Sequence, residues 1–140
     1  MIEKNTNVSG EPPILYFGAP VVLISSVNEG GSANLAPISS ALWLGWRCVL
    51  RLATASKTTE NLNRTGDCVL NSLSARQVDA VNRLSLTTGS DPVLKARVIR
   101  GYQTEFHKLE RADLTPLAAE TVTAPRGGEC PVQVEAVAEH

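Results

Sequence analysis

The sequence predicts one mainly β domain with short peripheral helices, its strands running antiparallel. Two observations carry this. Residues 21–27, "VVLISSV", form a compact β-branched run, and "NEGGS" follows with the Asn and Gly residues that suit a hairpin turn. The order strand, tight turn, strand, loop, strand over residues 21–53 then points to an antiparallel meander and not to a βαβ unit.

Each element has its own signal. "ANLAPISSALW" continues as a second strand in which Pro37 implies an edge, a bulge or an early end. "RCVLRLA", residues 47–53, is the third strand. After Ala53 the pattern turns helical: Ser56 or Thr58 can cap, and Gly66 stands where a terminating glycine belongs. "DCVLNSL" reads as a fourth strand. "SARQVDAVNRL" opens with Ser74 and Gln77 at capping-box spacing, and Val78, Val81 and Leu84 give it an apolar stripe. "SDPVLKARVI" predicts a third helix with Asp91 at the cap and Pro92 at its first position. Residues 101–128 mix short helical and extended signals. "CPVQVEAVAE" alternates as a final half-buried strand, expected to be still running where the sequence stops. Residues 1–15 read as a flexible N-terminal segment and residues 16–140 as the domain.

Composition narrows the function classes. The 140 residues suffice for one domain with a real core, at 43% hydrophobic content. A formal net charge of -1 and an aromatic content of 4% speak against nucleic acid or an anionic membrane surface as partner. Cys48, Cys68 and Cys130 are odd in number and far apart, which suits neither a disulfide framework nor a zinc site. Cys48 and Cys68 lie in apolar runs and read as small buried hydrophobes. His107 and His140 have no H-E-x-x-H or acidic cluster around them, so no metal is expected, and His107 reads as a surface or helix-face residue. Neither G-x-x-x-x-G-K-[ST], G-x-G-x-x-G nor G-x-S-x-G occurs. With no charged, apolar leader and no bilayer-length apolar run, the expected location is cytoplasmic.

One stretch carries candidate chemistry. "ATASKTTENLNRTG", residues 53–66, packs seven hydroxyl or amide side chains and a lysine around the expected strand-to-helix junction. Ser56, Lys57 and Thr58 there would combine free helix-start N–H groups, hydroxyls and a cation, the donors a phosphate ester needs. The same residues also make a plain capped turn, and the triplet alone does not separate the two. Upstream, "NLAPISSALWLGW", residues 34–46, is either an irregular edge strand or a wall offering backbone groups and two hydroxyls to a flat heterocycle. Trp43 and Trp46 are assigned to core or dimer-interface packing in preference to ring stacking on a cofactor.

The two stretches in this order, "NLAPISSALW" and then "SKTTENLNRTGDCVLN", resemble the flavin reductase-like family with the FMN-binding split-barrel fold. Echoes follow in "ADLTP" and "ECPVQVEAV", so the resemblance runs from about Tyr16 to Glu139. It implies an antiparallel split β-barrel, a homodimer in the family pattern with FMN at the interface, and NADH or NADPH as electron donor. By position it implies that Asn34, Ala36, Pro37, Ser39 and Ser40 line the isoalloxazine and ribityl groups. Thr54, Ser56, Lys57 and Thr58 would take the phosphate. The expected function is an NAD(P)H-dependent flavin reductase or oxidoreductase that supplies electrons to an acceptor or a partner oxygenase. The alternative is a non-catalytic FMN carrier or sensor, or a flavin-free assembly module. No catalytic side chain is assigned. Family members generally continue past "CPVQVEAVAEH", so the barrel is expected to be incomplete at its C-terminal end.

Overall fold

The computed structural model describes residues 9–11, 13 and 19–139, so most of the segment 1–15 and the expected domain start at Tyr16 lie outside the described residues. Strand β1 (Val22–Val27) turns back into β2 (Ala33–Ile38), with Val27 opposite Ala33. The turn closes through Asn28, whose N–H donates to Ser32 O at 2.9 Å and whose carbonyl accepts from Gly31 N at 2.9 Å. Gly31 takes a φ of 86°, which is why the turn needs glycine there.

The third strand departs from the expected meander. β3 (Ala41–Leu44) and β4 (Arg47–Leu50) pair with each other as a separate hairpin. The main sheet instead recruits β5 (Asp67–Ser72) and β10 (Val132–Val137), giving the antiparallel order β10-β5-β1-β2. Among the described residues β2 and β10 remain its edges, so the barrel is open. β10 ends at Val137 and is not still running at the last described residue; Ala138 N then donates to Gly66 O at 2.8 Å.

Because β1 is central, both of its faces are covered. Leu23 packs with Leu35, Leu84, Leu109 and Leu114 on one face. Val22 and Ile24 pack with Leu62, Cys68 and Leu70 on the other. Cys48 leans on that second cluster, and burial pushes the Cys68 thiol up to about 11. Cys68 is a small buried apolar group, as expected, and is held as an unreactive thiol, whereas Cys48 is only partly buried.

Helix α1 (Lys57–Thr65) starts and stops as the sequence predicts. Ser56 Oγ accepts from Thr59 N at 3.1 Å, and Gly66, at φ 76°, donates to Leu62 O at 2.8 Å. The capping box forms, with Gln77 Oε1 accepting from Ser74 N at 2.8 Å ahead of α2 (Val78–Leu84). Leu84 and Val81 face the core, but Val78 is exposed and Ala80 takes the inward position.

The third helix is shorter than predicted. α3 covers only Lys95–Val98, because Thr88 and Thr104 hydroxyls hold the backbone at Ser90 in a turn that ends ahead of it. Two-residue strands β6 (Thr87–Thr88) and β7 (Gln103–Thr104) pair around this excursion, and α4 (Lys108–Arg111) follows. His107 is an exposed residue at the start of α4, as expected. β8 (Pro116–Leu117) and β9 (Arg126–Gly127) then form a short ladder. Residues 113–130 are held largely by side chains reaching the backbone: Glu129 accepts from Thr115 N at 2.8 Å and Glu135 from Thr121 N at 2.8 Å.

The tryptophans are not core residues of the protomer. The β3–β4 hairpin projects from the sheet around Gly45, at φ 60°, leaving Trp43 46% exposed and Trp46 fully exposed. The core half of the sequence reading is therefore corrected.

Candidate functional site

A cavity of about 340 Å³ lies along the outer edge of β2. No strand pairs with that edge among the described residues, and Asn34, Ala36, Pro37 and Ile38 of β2 line the cavity. The start of α1 forms one wall. Further lining comes from the end of α2, from β6, and from Arg97, Tyr102 and Lys108.

Eight of the nine residues singled out in the sequence line this one cavity. Asn34, Ala36, Pro37, Ser39 and Ser40 come from β2 and the turn after it; Ser56, Lys57 and Thr58 come from the start of α1. Thr54 is exposed and does not line it. The stretches meet because Asn34 Nδ2 donates to Thr58 Oγ1 at 3.1 Å, with both residues buried.

At the helix start, Ser56 Oγ takes the Thr59 amide, while the amides of Lys57 and Thr58 have no intrahelical acceptor. Lys57 stands beside them and pairs with Glu60 Oε1 at 2.8 Å. The positive helix end, two free donors and an ammonium thus converge on one spot.

Asn34 Oδ1 is buried without a hydrogen-bond partner, an acceptor placed against the cavity wall. Gly89 closes over it: a Cβ there would stand 2.8 Å from Asn34 Oδ1 and 2.8 Å from Lys57 Cγ. A side chain at position 89 would fill the space between the two recognised stretches.

The lining residues beyond these two stretches were not legible as a site. Arg97 donates to Thr88 Oγ1 at 3.5 Å and lies 5.4 Å from the Tyr102 ring centre. Lys108 is 3% exposed, and burial, with Arg97 nearby, pulls its ammonium down to about 8 against weak support from Glu105. With Arg51 and Lys57, the cavity presents four cationic residues and no carboxylate in its lining. That balance selects an anionic ligand. Among the described residues no cluster of potential metal ligands occurs.

The model of the flavin reductase like domain family matches residues 6–140. The chain belongs to this family. The uncharacterized protein YdfE of Bacillus subtilis (strain 168) is 36% identical over 132 residues, which are 93% of this chain and 63% of YdfE. The chain therefore spans less than two thirds of that relative's length. Among solved structures, flavoredoxin of Desulfovibrio vulgaris (Miyazaki F) superposes with a TM-score of 0.76 at 20% identity, covering 96% of this chain and 68% of flavoredoxin. Nitrilotriacetate monooxygenase component B from Bacillus cereus superposes with a TM-score of 0.65 at 22% identity, covering 98% and 70%. The fold is thus the split barrel of flavin reductases, mainly β with short helices, and family membership supports a flavin as cofactor.

The residues present fit such a group. A flat ring system with donor and acceptor edges suits the free β2 edge and the unpartnered Asn34 Oδ1, and an anionic tail suits the Lys57 end.

Proposed function

We propose that this chain is an FMN-binding flavoprotein that works as an NAD(P)H-dependent flavin reductase or oxidoreductase in the cytoplasm. The observation that carries the reading is the cavity shared by the β2 edge and the start of α1, whose lining holds four cationic residues and no carboxylate. In this reading Asn34, Ala36, Pro37, Ser39 and Ser40 hold the ring and ribityl portions. Ser56, Lys57 and Thr58 hold the phosphate, and Thr54 adds an exposed hydroxyl ahead of the cap. The bound flavin supplies two-electron chemistry, so the protein's task is to bind, orient and set the surrounding charge.

Electrons would come from NADH or NADPH and pass to an acceptor or an oxygenase partner. Nitrilotriacetate monooxygenase component B, a component of a monooxygenase system with this fold, supports such a partner. A homodimer with FMN at its interface is part of the proposal. Leu42, Trp43, Leu44, Trp46 and Val49 support it, since they make the β3–β4 hairpin an exposed apolar surface beside the cavity strand.

The test is a fluorescence titration with FMN and, in parallel, riboflavin. Saturable binding that prefers FMN is expected, and Lys57→Ala should reduce that preference about tenfold or more, as loss of a charged contact does. Equal losses for FMN and riboflavin would remove Lys57 from the phosphate site. NAD(P)H oxidation by the loaded protein separates a reductase from a carrier.

A further inference from the structure

Arg97, Arg100 and Tyr102 form a basic turn between α3 and β7. Arg97 O accepts from Arg100 N at 3.0 Å and from Tyr102 N at 3.1 Å, and Gly101, at φ 83°, makes the reversal. Both guanidinium groups are thereby held at one ring, Arg97 5.4 Å and Arg100 5.6 Å from the centre of Tyr102. Among the described residues neither arginine pairs with a carboxylate. Arg97 makes one long side-chain bond, to Thr88 Oγ1 at 3.5 Å. Two like charges are thus fixed close together with most of their donors uncommitted, an arrangement that a bound anion stabilises.

The turn straddles the edge of the cavity. Arg97 and Tyr102 belong to the lining, whereas Arg100 is exposed and lies outside it. In the proposed function FMN occupies the cavity and its phosphate meets the start of α1, so the nucleotide end of a dihydronicotinamide donor lies outside the lining. Resting on that reading, we propose that Arg97 and Arg100 bind the ribose 2′-phosphate of NADPH and make NADPH, not NADH, the electron donor. The two donors differ only in that phosphate. It is a monoester, largely dianionic at neutral pH and with three acceptor oxygens, whereas the bridging diphosphate common to both carries one negative charge on each phosphate. Two guanidinium forks with no competing carboxylate match the dianion. The bare 2′-hydroxyl of NADH is instead a donor suited to a carboxylate acceptor. The cavity lining holds no carboxylate, and neither arginine carries one among the described residues.

The test is a calorimetric titration of the FMN-loaded protein with adenosine 2′,5′-bisphosphate and, as a control with the same number of phosphates, ADP. The wild type should bind the bisphosphate about tenfold or more tightly than ADP. Arg100→Gln changes an exposed side chain outside the lining and should keep the fold. It should lose about tenfold or more of the bisphosphate affinity, as loss of a charged contact does, with ADP binding unchanged. Arg97→Gln should give the same split, and Arg100→Lys, which keeps the charge without the fork, should recover only part of the affinity. Equal binding of bisphosphate and ADP by the wild type overturns the inference. Equal losses of both in Arg100→Gln also overturn it and make the turn a diphosphate site. A lost preference for FMN over riboflavin in Arg100→Gln overturns it too and gives the turn to the flavin phosphate. The flavin titration of the wild type reads the parent function separately: a protein that binds FMN without preferring the bisphosphate fails this inference alone, and one that binds no FMN fails the parent reading.

Discussion

Asn34 Nδ2 donates to Thr58 Oγ1 at 3.1 Å, and this one bond joins the edge strand β2 to the first turn of α1. The two residues are 24 apart in sequence and both are buried. The bond uses one of the two Asn34 Nδ2 hydrogens and leaves the acceptor, Oδ1, against the cavity. Fold and site are therefore linked through the same side chain.

Replacing Asn34 by Ala should lower stability by about 1 kcal/mol, the usual net value of a buried hydrogen bond. If Asn34 holds the ring portion, as proposed above, FMN and riboflavin binding should weaken alike. Urea unfolding and the paired flavin titration check both parts. A loss confined to FMN would place Asn34 with the phosphate instead.

Gly89→Ala tests the close approach. The added methyl would meet Asn34 Oδ1 and Lys57 Cγ, each at 2.8 Å. Lys57 can swing aside, whereas Asn34 is fixed by Thr58. The expected cost is about 1–3 kcal/mol of overpacking, with flavin affinity falling further than stability explains. Wild-type affinity in a stable Gly89→Ala protein would show that the space is not used.

The exposed hairpin gives a prediction about assembly. Changing Leu44 and Trp46 to Ser removes apolar surface that the protomer leaves 60% and fully exposed. The protomer should keep its circular dichroism spectrum, since neither side chain supports its core. Sedimentation velocity should show a dimeric wild type and a monomeric variant. An unchanged sedimentation coefficient would move the interface elsewhere.

Lys108 predicts a pH dependence of the flavin-free protein. Its folded value of about 8 lies below the ordinary 10.5, so between these values the unfolded chain binds more protons than the folded one. Stability contributed by this group therefore rises from about pH 8 towards pH 10.5 and is flat below. The full effect is on the order of 3 kcal/mol. Lys108→Met should be more stable than wild type at pH 7 and should lack that rise, with the difference between the two proteins measured by urea unfolding across the pH series. Identical pH profiles would mean that Lys108 is not held as a buried cation.

Local signals determined much of this protein. The VVLISSV run with its NEGGS turn, the Ser56 cap, the Gly66 stop and the Ser74–Gln77 box are short-range chemistry, and each appears where the sequence placed it. The family, and eight residues of the cavity lining out of nine singled out, were legible for the same reason, since each stretch is contiguous.

What the sequence could not decide depends on contacts between distant segments. "RCVLRLA" has the pattern of a strand, but which strand it pairs with depends on β1 preferring β5, 44 residues downstream. Trp43 and Trp46 look like core by type, yet a hairpin that leaves the sheet carries them outward. Lys108 sits in a four-residue helix too short to show a periodicity, and only packing against β2 and the neighbouring Arg97 turns a common surface residue into a buried charge. Sequence fixes local conformation through propensity and capping; burial of charge is decided by which elements close over it, and only the tertiary structure holds that information.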